Sequence, residues 1–298
     1  MSKLRHCQKQ QNVVSNYTKK NYKLKNLYTN GNQYLFRKSY CGYLDILGFS
    51  EKILKNDIPF FNKYLHTLNS ELLHIEKKHD LSNTKGFKEF ELKVFTDNFV
   101  FGLPWRDRFG ESELGTIFEV LSHIQLTFIK SDVYIRGALS LSDLFMNENI
   151  VLGPALIESY KLESEKAIYP RIILSKDLVK VIEEHFTYYA DSKTAPQNKT
   201  FLIDIDGYYF LNYLFILFFD NQYTDSQIKK EILEHKKSVE INLTKYKTNF
   251  KLFDKYSWTA KYHNFFCENY FSLEFPKQNL TKFKINENLI TKSITTIK

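Results

Sequence analysis

Two aspartates stand inside otherwise apolar stretches of the sequence. Asp45 lies within YLDILGF, and Asp97 lies between the apolar runs of ELKVFTDNFVFG. An ionised carboxylate in an apolar strand is costly unless a partner compensates its charge. If the two side chains meet, they repel each other unless a proton or a cation lies between them. The usual bridge is a pair of divalent metal ions about 3.5–4 Å apart, held by oxygen ligands in phosphoryl-transfer sites.

Each aspartate also has a plainer interpretation, as a turn or helix-capping residue at the end of a strand. That interpretation suits Asp97 taken alone. It suits Asp45 less well, because Ile46 and Leu47 continue the apolar run beyond it. The metal-site hypothesis therefore depends on elements that bring the two aspartates together.

The surrounding pattern predicts an α+β fold. Apolar periodicity and turn residues predict strands over about 39–47, within 90–103 (two, with a turn at 96–98), and over 132–145, 150–152 and 171–175, and helices over 60–75, 111–130, 153–167 and 176–186. This order implies a mixed sheet flanked by helices. In such a sheet the first strand and the hairpin lie side by side, so Asp45 and Asp97 can converge.

The rest of the chain is predicted to be mostly helical. After an edge strand within 199–207, the apolar run 208–219 is predicted to be a core helix, and two further helices follow over 224–246 and 251–270. We divide the chain into a basic, disordered arm (1–36), a central domain with both aspartates (37–207) and a helical C-terminal region (208–298).

The net charge of +8 is concentrated at the N-terminus. Residues 1–44 contain nine Lys and Arg and no acidic residue, so the remainder of the chain is close to neutral. A nucleic-acid-binding domain needs a basic face, so we expect no nucleic-acid partner for the folded part of the chain. Contact of the basic arm with a membrane or RNA remains the alternative. The longest apolar run is too short to span a bilayer, and we expect no stable membrane insertion. The three scattered cysteines fit a reducing compartment, and we expect a cytoplasmic protein.

Several segments together resemble the class III nucleotide cyclases. YLDILGFSEKI is similar to the first metal-binding motif of that family, and KVFTDNFVFG is similar to the hairpin that presents its second aspartate. A closer resemblance is to the pyrimidine cyclases of the Pycsar antiphage system, through RGALS, GPALIESYKLESEKAIYPRIILS and KYSWTAKYHN. The wider resemblance covers about residues 38–176. It implies a class III cyclase-like fold, with 37–207 as the catalytic domain.

The resemblance assigns roles to individual positions. Asp45, the backbone carbonyl of Ile46 and Asp97 match the metal ligands. Backbone N–H groups around Phe49, which opens a helix, would hold the triphosphate. Lys93 falls where purine cyclases keep a base-reading side chain. Its partner position falls at Ile150, which cannot hydrogen-bond an exocyclic amine and so disfavours adenine.

The positions that match the transition-state residues depart from the family. They fall at Ile157 and Lys161, four apart on one predicted helix. Lys161 keeps a positive charge, although as a point charge and not as a planar fork. Arg136 and Arg171 are the alternative cations for catalysis. The plainer interpretation of Lys161 is a solvated helix face, and that of both arginines is a structural ion pair with Glu158 or Glu163.

The resemblance implies a Mn²⁺-dependent homodimer with its active site at the interface, although Mg²⁺ is possible. The enzyme would convert UTP, or less readily CTP, to the 3′,5′-cyclic monophosphate, which a separate effector would sense during phage infection. The alternatives are a purine cyclase and a catalytically silent cyclase-like module that binds a nucleotide or a partner.

Two other signals were weighed. Asp204 and Asp206 lie two apart in IDID, which fits an exposed edge strand better than a metal site. His263 and Cys267 are spaced by one helical turn, but two ligands without a third are a weak zinc signal.

Overall fold

The computed structural model of the chain describes residues 27–82, 89–106 and 110–290. Within these ranges the fold is a mixed α+β arrangement, as predicted. The strands are β1 (Thr29–Asn30), β2 (Gln33–Tyr34), β3 (Arg37–Ile46), β4 (Glu91–Phe95), β5 (Asn98–Pro104), β6 (Ile135–Met146), β7 (Val151–Leu152), β8 (Ile172–Leu174), β9 (Phe201–Ile203) and β10 (Tyr209–Leu211). The α-helices are α1 (Phe49–Leu54), α2 (Ile58–Ser82), α3 (Glu111–Lys130), α4 (Pro154–Lys166), α5 (Lys176–Phe186), α6 (Gln197–Thr200), α7 (Asp225–Lys245), α8 (Phe250–Phe266), α9 (Ser272–Glu274) and α10 (Leu280–Phe283).

The main sheet runs in the order β4-β5-β3-β6-β8-β10-β9, and β7 pairs with β6 outside this path. Neighbouring strands are antiparallel except β6 and β8, which are parallel. β3 lies between β5 and β6, so the strand that carries Asp45 is central.

Side chains of β3 alternate between the two faces of the sheet, as a strand requires. Tyr40, Leu44 and Ile46 belong to the main hydrophobic core, to which helix α3 also contributes along most of its length. Helix α4 packs against β3 and β6. Its Ser159 hydroxyl donates to Cys41 Sγ at 3.6 Å, which places α4 on the face that also carries Asp45.

Several predicted boundaries are corrected. Residues 27–36 of the predicted disordered arm form the β1–β2 hairpin, with Tyr28 fully buried, while residues 1–26 lie outside the described part. The predicted loop from residue 76 begins as helix, because α2 continues to Ser82. Pro59 does not interrupt α2, since proline is tolerated in a first helical turn.

The predicted core helix over 208–219 is wrong. Its first part is strand β10, and Tyr213–Phe218 forms a 3₁₀-helix. A continuous apolar run has no periodicity that separates a buried helix from a buried strand. The deciding groups are non-local: Asn212 N–H donates to the Thr200 carbonyl at 2.9 Å, and the Asn212 side chain accepts from Tyr262 Oη at 2.7 Å.

The C-terminal region is mostly helical, as predicted. Helices α7 and α8 pack against each other, and a short π-helix, Cys267–Phe271, follows α8. No helix among the described residues is long and apolar enough to cross a membrane.

Candidate functional site

The two aspartates singled out in the sequence meet at one end of β3. In the antiparallel register Asp45 lies opposite Asn98, directly after the β4–β5 turn. Ile46 N–H donates to the Asp97 carbonyl at 3.1 Å, which ties the turn to β3. The carboxyl groups of Asp45 and Asp97 lie within hydrogen-bonding reach of each other.

Local backbone geometry fixes Asp97. Thr96 has φ 54°, a left-handed conformation that is unfavourable for a β-branched residue. The Thr96 carbonyl accepts from Tyr64 Oη at 3.1 Å, and the Thr96 hydroxyl donates to Asp97 Oδ1 at 2.8 Å. Asn98 Nδ2 donates to the same carboxylate oxygen at 3.2 Å. A strained turn held by its surroundings is characteristic of a functional position.

Arg136 lies opposite Asp45 on the other neighbouring strand, β6. Its Nε donates to Asp45 Oδ2 at 3.0 Å, and its terminal nitrogen donates to the Ala167 carbonyl at 3.3 Å. The same Nε lies 2.9 Å from Glu163 Oε1 of α4. Because Nε carries one hydrogen and donates it to Asp45, Glu163 Oε1 has no donor among the described residues.

Burial and mutual repulsion dominate the electrostatics of this cluster. Burial raises the pKa of Asp45, although Arg136 acts in the opposite direction and Asp97 adds to the rise. Burial also raises the pKa of Glu163 to about 7, with Arg136 opposing and both aspartates adding to the rise. The three carboxyl groups therefore raise one another's cost of ionisation around Arg136, a condition that favours a proton or a cation near them.

An open cleft of about 400 Å³ lies on the face of the sheet that carries Asp45, although neither aspartate lines it. Tyr43, two residues before Asp45, forms one wall, and its ring meets that of Tyr160 edge-on at 5.3 Å. Lys93 also lines the cleft, and so does Ile157, which is 56% exposed. The remaining lining residues are Phe95, Val100, Asn149, Val151 and Leu156.

The other predicted site residues are placed differently. Phe49 opens α1 after Gly48, whose φ is 75°, and its side chain packs into the core against Tyr64. Lys161 is exposed on α4, and no ion pair joins it to the three carboxyl groups. Arg171 is fully buried and pairs with Asp204 and Asp206, not with Glu158 or Glu163 as the structural alternative proposed. The structure therefore does not bring Arg171 to the aspartate cluster.

The two aspartates of the IDID segment, Asp204 and Asp206, therefore have Arg171 as their ion-pair partner. β9 ends at Ile203, as an edge strand of the sheet, and both aspartates lie beyond it. Asp204 also accepts from the indole N–H of Trp258 at 2.7 Å. The predicted pair His263 and Cys267 is close, with 3.6 Å between Nε2 and Sγ, but both side chains are buried.

Two charged residues at the site were missed by sequence reasoning. Glu163 was considered only as an ion-pair partner, and it is 3% exposed beside Asp45. Lys255 of α8 is half-buried, and its ammonium group interacts electrostatically with Arg136, Asp45 and Glu163. Only the similarity of KYSWTAKYHN to the pyrimidine cyclases drew attention to that segment, without a role for its lysine.

The described residues offer only a partial set of metal ligands at this site. Across 27–82, 89–106 and 110–290, no group of three or more His, Cys, Asp or Glu side chains is arranged to hold a metal ion. The predicted set contains only two carboxylates and the carbonyl of Ile46, all hard oxygen donors of the kind that Mn²⁺ and Mg²⁺ prefer. The convergence of Asp45 and Asp97 fits such an ion, whereas the Arg136 contact competes with it.

Compared with known proteins, the chain matches no protein-family model and no curated protein.

Proposed function

We propose that the protein is a metal-dependent nucleotide cyclase of the class III type. Its reaction would convert UTP, or alternatively CTP, to the 3′,5′-cyclic monophosphate and pyrophosphate. The observation that supports this most is the meeting of Asp45 and Asp97, from two separate sequence segments, at the end of a central strand beside an open cleft. Burial raises the pKa of the Asp45 carboxyl and the neighbouring Asp97 adds to that rise, so bringing the two together has a cost that a structural role does not explain.

Asp45, Asp97 and the Ile46 carbonyl would hold Mn²⁺, two ions per site, with Mg²⁺ as the alternative. When bound, such ions supply an activated 3′-hydroxyl nucleophile and neutralise the departing pyrophosphate. The protein's own task is positioning: Thr96 and Asn98 fix the Asp97 carboxylate, and β3 fixes Asp45. The backbone N–H groups at Phe49 remain the predicted triphosphate contacts.

Arg136 is the cation best placed to act on the substrate. Its guanidinium neutralises Asp45. When Asp45 holds a metal ion instead, the guanidinium would be able to donate to the α-phosphate and to support the charge that develops there. Lys161, exposed on α4, and Arg171, held by Asp204 and Asp206, are less well placed.

The cleft lined by Tyr43, Tyr160 and Lys93 would take the base. Its two tyrosine rings offer faces for stacking, and Lys93 offers a hydrogen-bond donor to a carbonyl oxygen. Uracil has two such oxygens, cytosine and guanine have one each and adenine has none, so this donor disfavours adenine. Ile150, near the rim, offers no acceptor side chain for an exocyclic amine, which all of these bases except uracil carry, so it favours uracil.

Exposed apolar side chains around the cleft support a homodimer with the active site at the interface. Phe95, Ile150, Leu152, Ile157 and Tyr160 are each 42–56% exposed. Exposed apolar patches of this kind mark interaction surfaces. In the cell we propose a cytoplasmic enzyme whose product is sensed by a separate effector in antiphage defence.

The test is incubation of the purified protein with each of the four NTPs and Mn²⁺, followed by mass spectrometry of the products. We expect cyclic UMP, or cyclic CMP, from the wild-type protein. Asp45→Ala and Asp97→Ala should each reduce it to background. Asp177→Ala, at an exposed carboxylate of α5, is the matched control and should keep full activity. Absence of any cyclic nucleotide from the wild-type protein would reject the proposal.

A second candidate is a catalytically silent cyclase-like module that binds nucleotide. The ion pair between Arg136 and Asp45 favours it, because a guanidinium already occupies one metal-ligand oxygen. Ile157, at a position where the family keeps a polar transition-state residue, points the same way. In that case UTP would bind with the same affinity in EDTA and in Mn²⁺, and no product would form.

A further inference from the structure

Helix α8 contacts the chain just before β6, near the end of the sheet at which the aspartates meet. Tyr256 packs edge-on against Tyr134, two residues before Arg136, with 4.8 Å between ring centroids. Trp258 stacks on Tyr169 at 5.8 Å and donates to Asp204 at 2.7 Å. These contacts, one and three residues after Lys255, fix the position of Lys255 next to the β6 end of the site.

Lys255 is a charged group without a structural partner. Its side chain is half-buried, and among the described residues no hydrogen bond or ion pair engages its ammonium group. Burial lowers the pKa of Lys255, and Arg136 and Lys251 lower it further, while Asp45 and Glu163 act in the opposite direction. A desolvated, unpaired cation is costly to the fold, so a ligand is the natural reason for it.

The charge balance of the site indicates which ligand. Without metal, Arg136 and Lys255 face the carboxylates of Asp45 and Glu163. If cations bind to Asp45, Arg136 keeps an anionic partner in Glu163, 2.9 Å from its Nε. Lys255 loses the attraction of Asp45, has no ion pair of its own within the described part of the chain and faces additional positive charge. A polyanion is a class of ligand that satisfies it.

We infer that Lys255 is a substrate-binding residue that contacts the polyphosphate end of the nucleotide. This inference rests on the proposed function. It assigns a role to the C-terminal region: α8 completes the anion-binding side of a site whose carboxylates come from β3 and the β4–β5 turn. It also orients the substrate, with the phosphates toward α8 and the base in the cleft at Tyr43.

The experiment is calorimetric titration of the full-length protein with inorganic tripolyphosphate in the presence of Mn²⁺. Lys255→Met should weaken binding by about 10- to 100-fold, the effect of one lost charge-assisted hydrogen bond. Lys255→Arg should retain most of the affinity. Lys230→Met, at an exposed lysine of α7, is the matched control and should bind as wild type.

A melting curve without ligand separates a binding role from a structural one. Because Lys255 has no partner, ligand-free Lys255→Met should melt no lower than wild type. A lowered melting temperature, or unchanged tripolyphosphate affinity, would overturn the inference.

The outcomes also separate this inference from the cyclase proposal. Tripolyphosphate binding that depends on Lys255, without any cyclic product from NTPs, would leave the inference standing and reject the cyclase. Cyclic product formed equally well by Lys255→Met would do the reverse. No tripolyphosphate binding by wild type would reject the inference and leave the cyclase proposal to the NTP assay.

Discussion

At the scale of single residues, the candidate site contains more carboxyl groups than the guanidinium of Arg136 can neutralise. Asp45 and Glu163 both approach the same nitrogen of Arg136, and that nitrogen can serve only one of them. Glu163 is therefore the group whose protonation best reports the state of the site.

Glu163→Gln should make the protein more stable at alkaline pH. The folded-state pKa of about 7 lies above the ordinary value of 4.5, so the folded state holds more protons between these values. The stabilisation that protonated Glu163 contributes is fully present below pH 4.5. It is lost as the pH rises through 7, which lowers the free energy of unfolding by about 3 kcal/mol.

The check is urea denaturation of both proteins at pH 5, 6, 7 and 8. The stability advantage of Glu163→Gln over wild type should grow across this series. Equal free energies of unfolding at pH 8 would show that Glu163 ionises without penalty.

Sequence reasoning could reach Asp45 and Asp97 because their apolar neighbours make a carboxylate conspicuous. It could not reach Glu163, which stands in the polar string ESYKLESEK and becomes buried only when α4 packs on β3 and β6. Lys255 was equally hidden, since nothing in the sequence around it indicates which end of the sheet α8 crosses.

At the scale of elements, the alternating and amphipathic segments were predictable, and the uniformly apolar one was not. β3, α3 and β6 follow their periodicity, because each has one buried face. Residues 208–219 are apolar throughout, and their structure depends on partners such as Thr200 and Tyr262.

A buried histidine pair links α7, α8 and the segment after α8. Tyr213 lies 2.8 Å from His235 Nε2, the two Nδ1 atoms of His235 and His263 are 2.9 Å apart, and His263 Nε2 lies 2.9 Å from the Phe283 carbonyl. One set of tautomers satisfies all three contacts with both rings neutral. Tyr213 then donates to His235, His235 to His263, and His263 to the carbonyl.

This pair should make the C-terminal region sensitive to acid. Burial lowers the pKa of His263 to about 4 from the ordinary 6.5, so the unfolded state binds more protons between these values. The stabilisation that neutral His263 contributes is therefore lost as the pH falls from 6.5 toward 4. His263→Gln cannot be protonated, so its free energy of unfolding should change less between pH 7 and pH 5 than that of wild type. An identical change in both proteins would contradict the assignment.

At the scale of the whole molecule, one buried charge cluster joins the predicted catalytic domain to the predicted C-terminal region. Arg171, before β8, pairs with Asp204, which also accepts from Trp258 of α8. The Arg171 guanidinium also lies 5.6 Å from the Trp258 ring. The sheet and α8 are therefore fixed to each other through this arginine.

Arg171→Met should destabilise the protein by about 3–5 kcal/mol, because it leaves Asp204 buried without its cation. Arg37→Met, at an exposed arginine of β3, should cost little and is the matched control. Urea denaturation at pH 7 measures both. A loss below about 1 kcal/mol for Arg171→Met would mean that Trp258 alone satisfies Asp204.

The apolar rim of the cleft leads to a prediction about assembly. Ile157→Asp should convert the proposed dimer to a monomer, since it places a charge in the apolar interface. Leu54→Asp, at a residue 87% exposed on α1, should leave the dimer intact. Light scattering on a size-exclusion column measures the mass. A monomeric wild-type protein would contradict the dimer directly.

The cluster at Arg171 has a consequence for synthesis on the ribosome. A nascent chain that has been synthesised only as far as β8 contains Arg171 but not its partners Asp204 and Asp206. Trp258, which packs on this arginine, is synthesised later still. We expect such a chain to remain incompletely folded, with exposed aromatic side chains to which chaperones bind. Folding of the sheet against α8 would therefore be complete only after translation has passed α8.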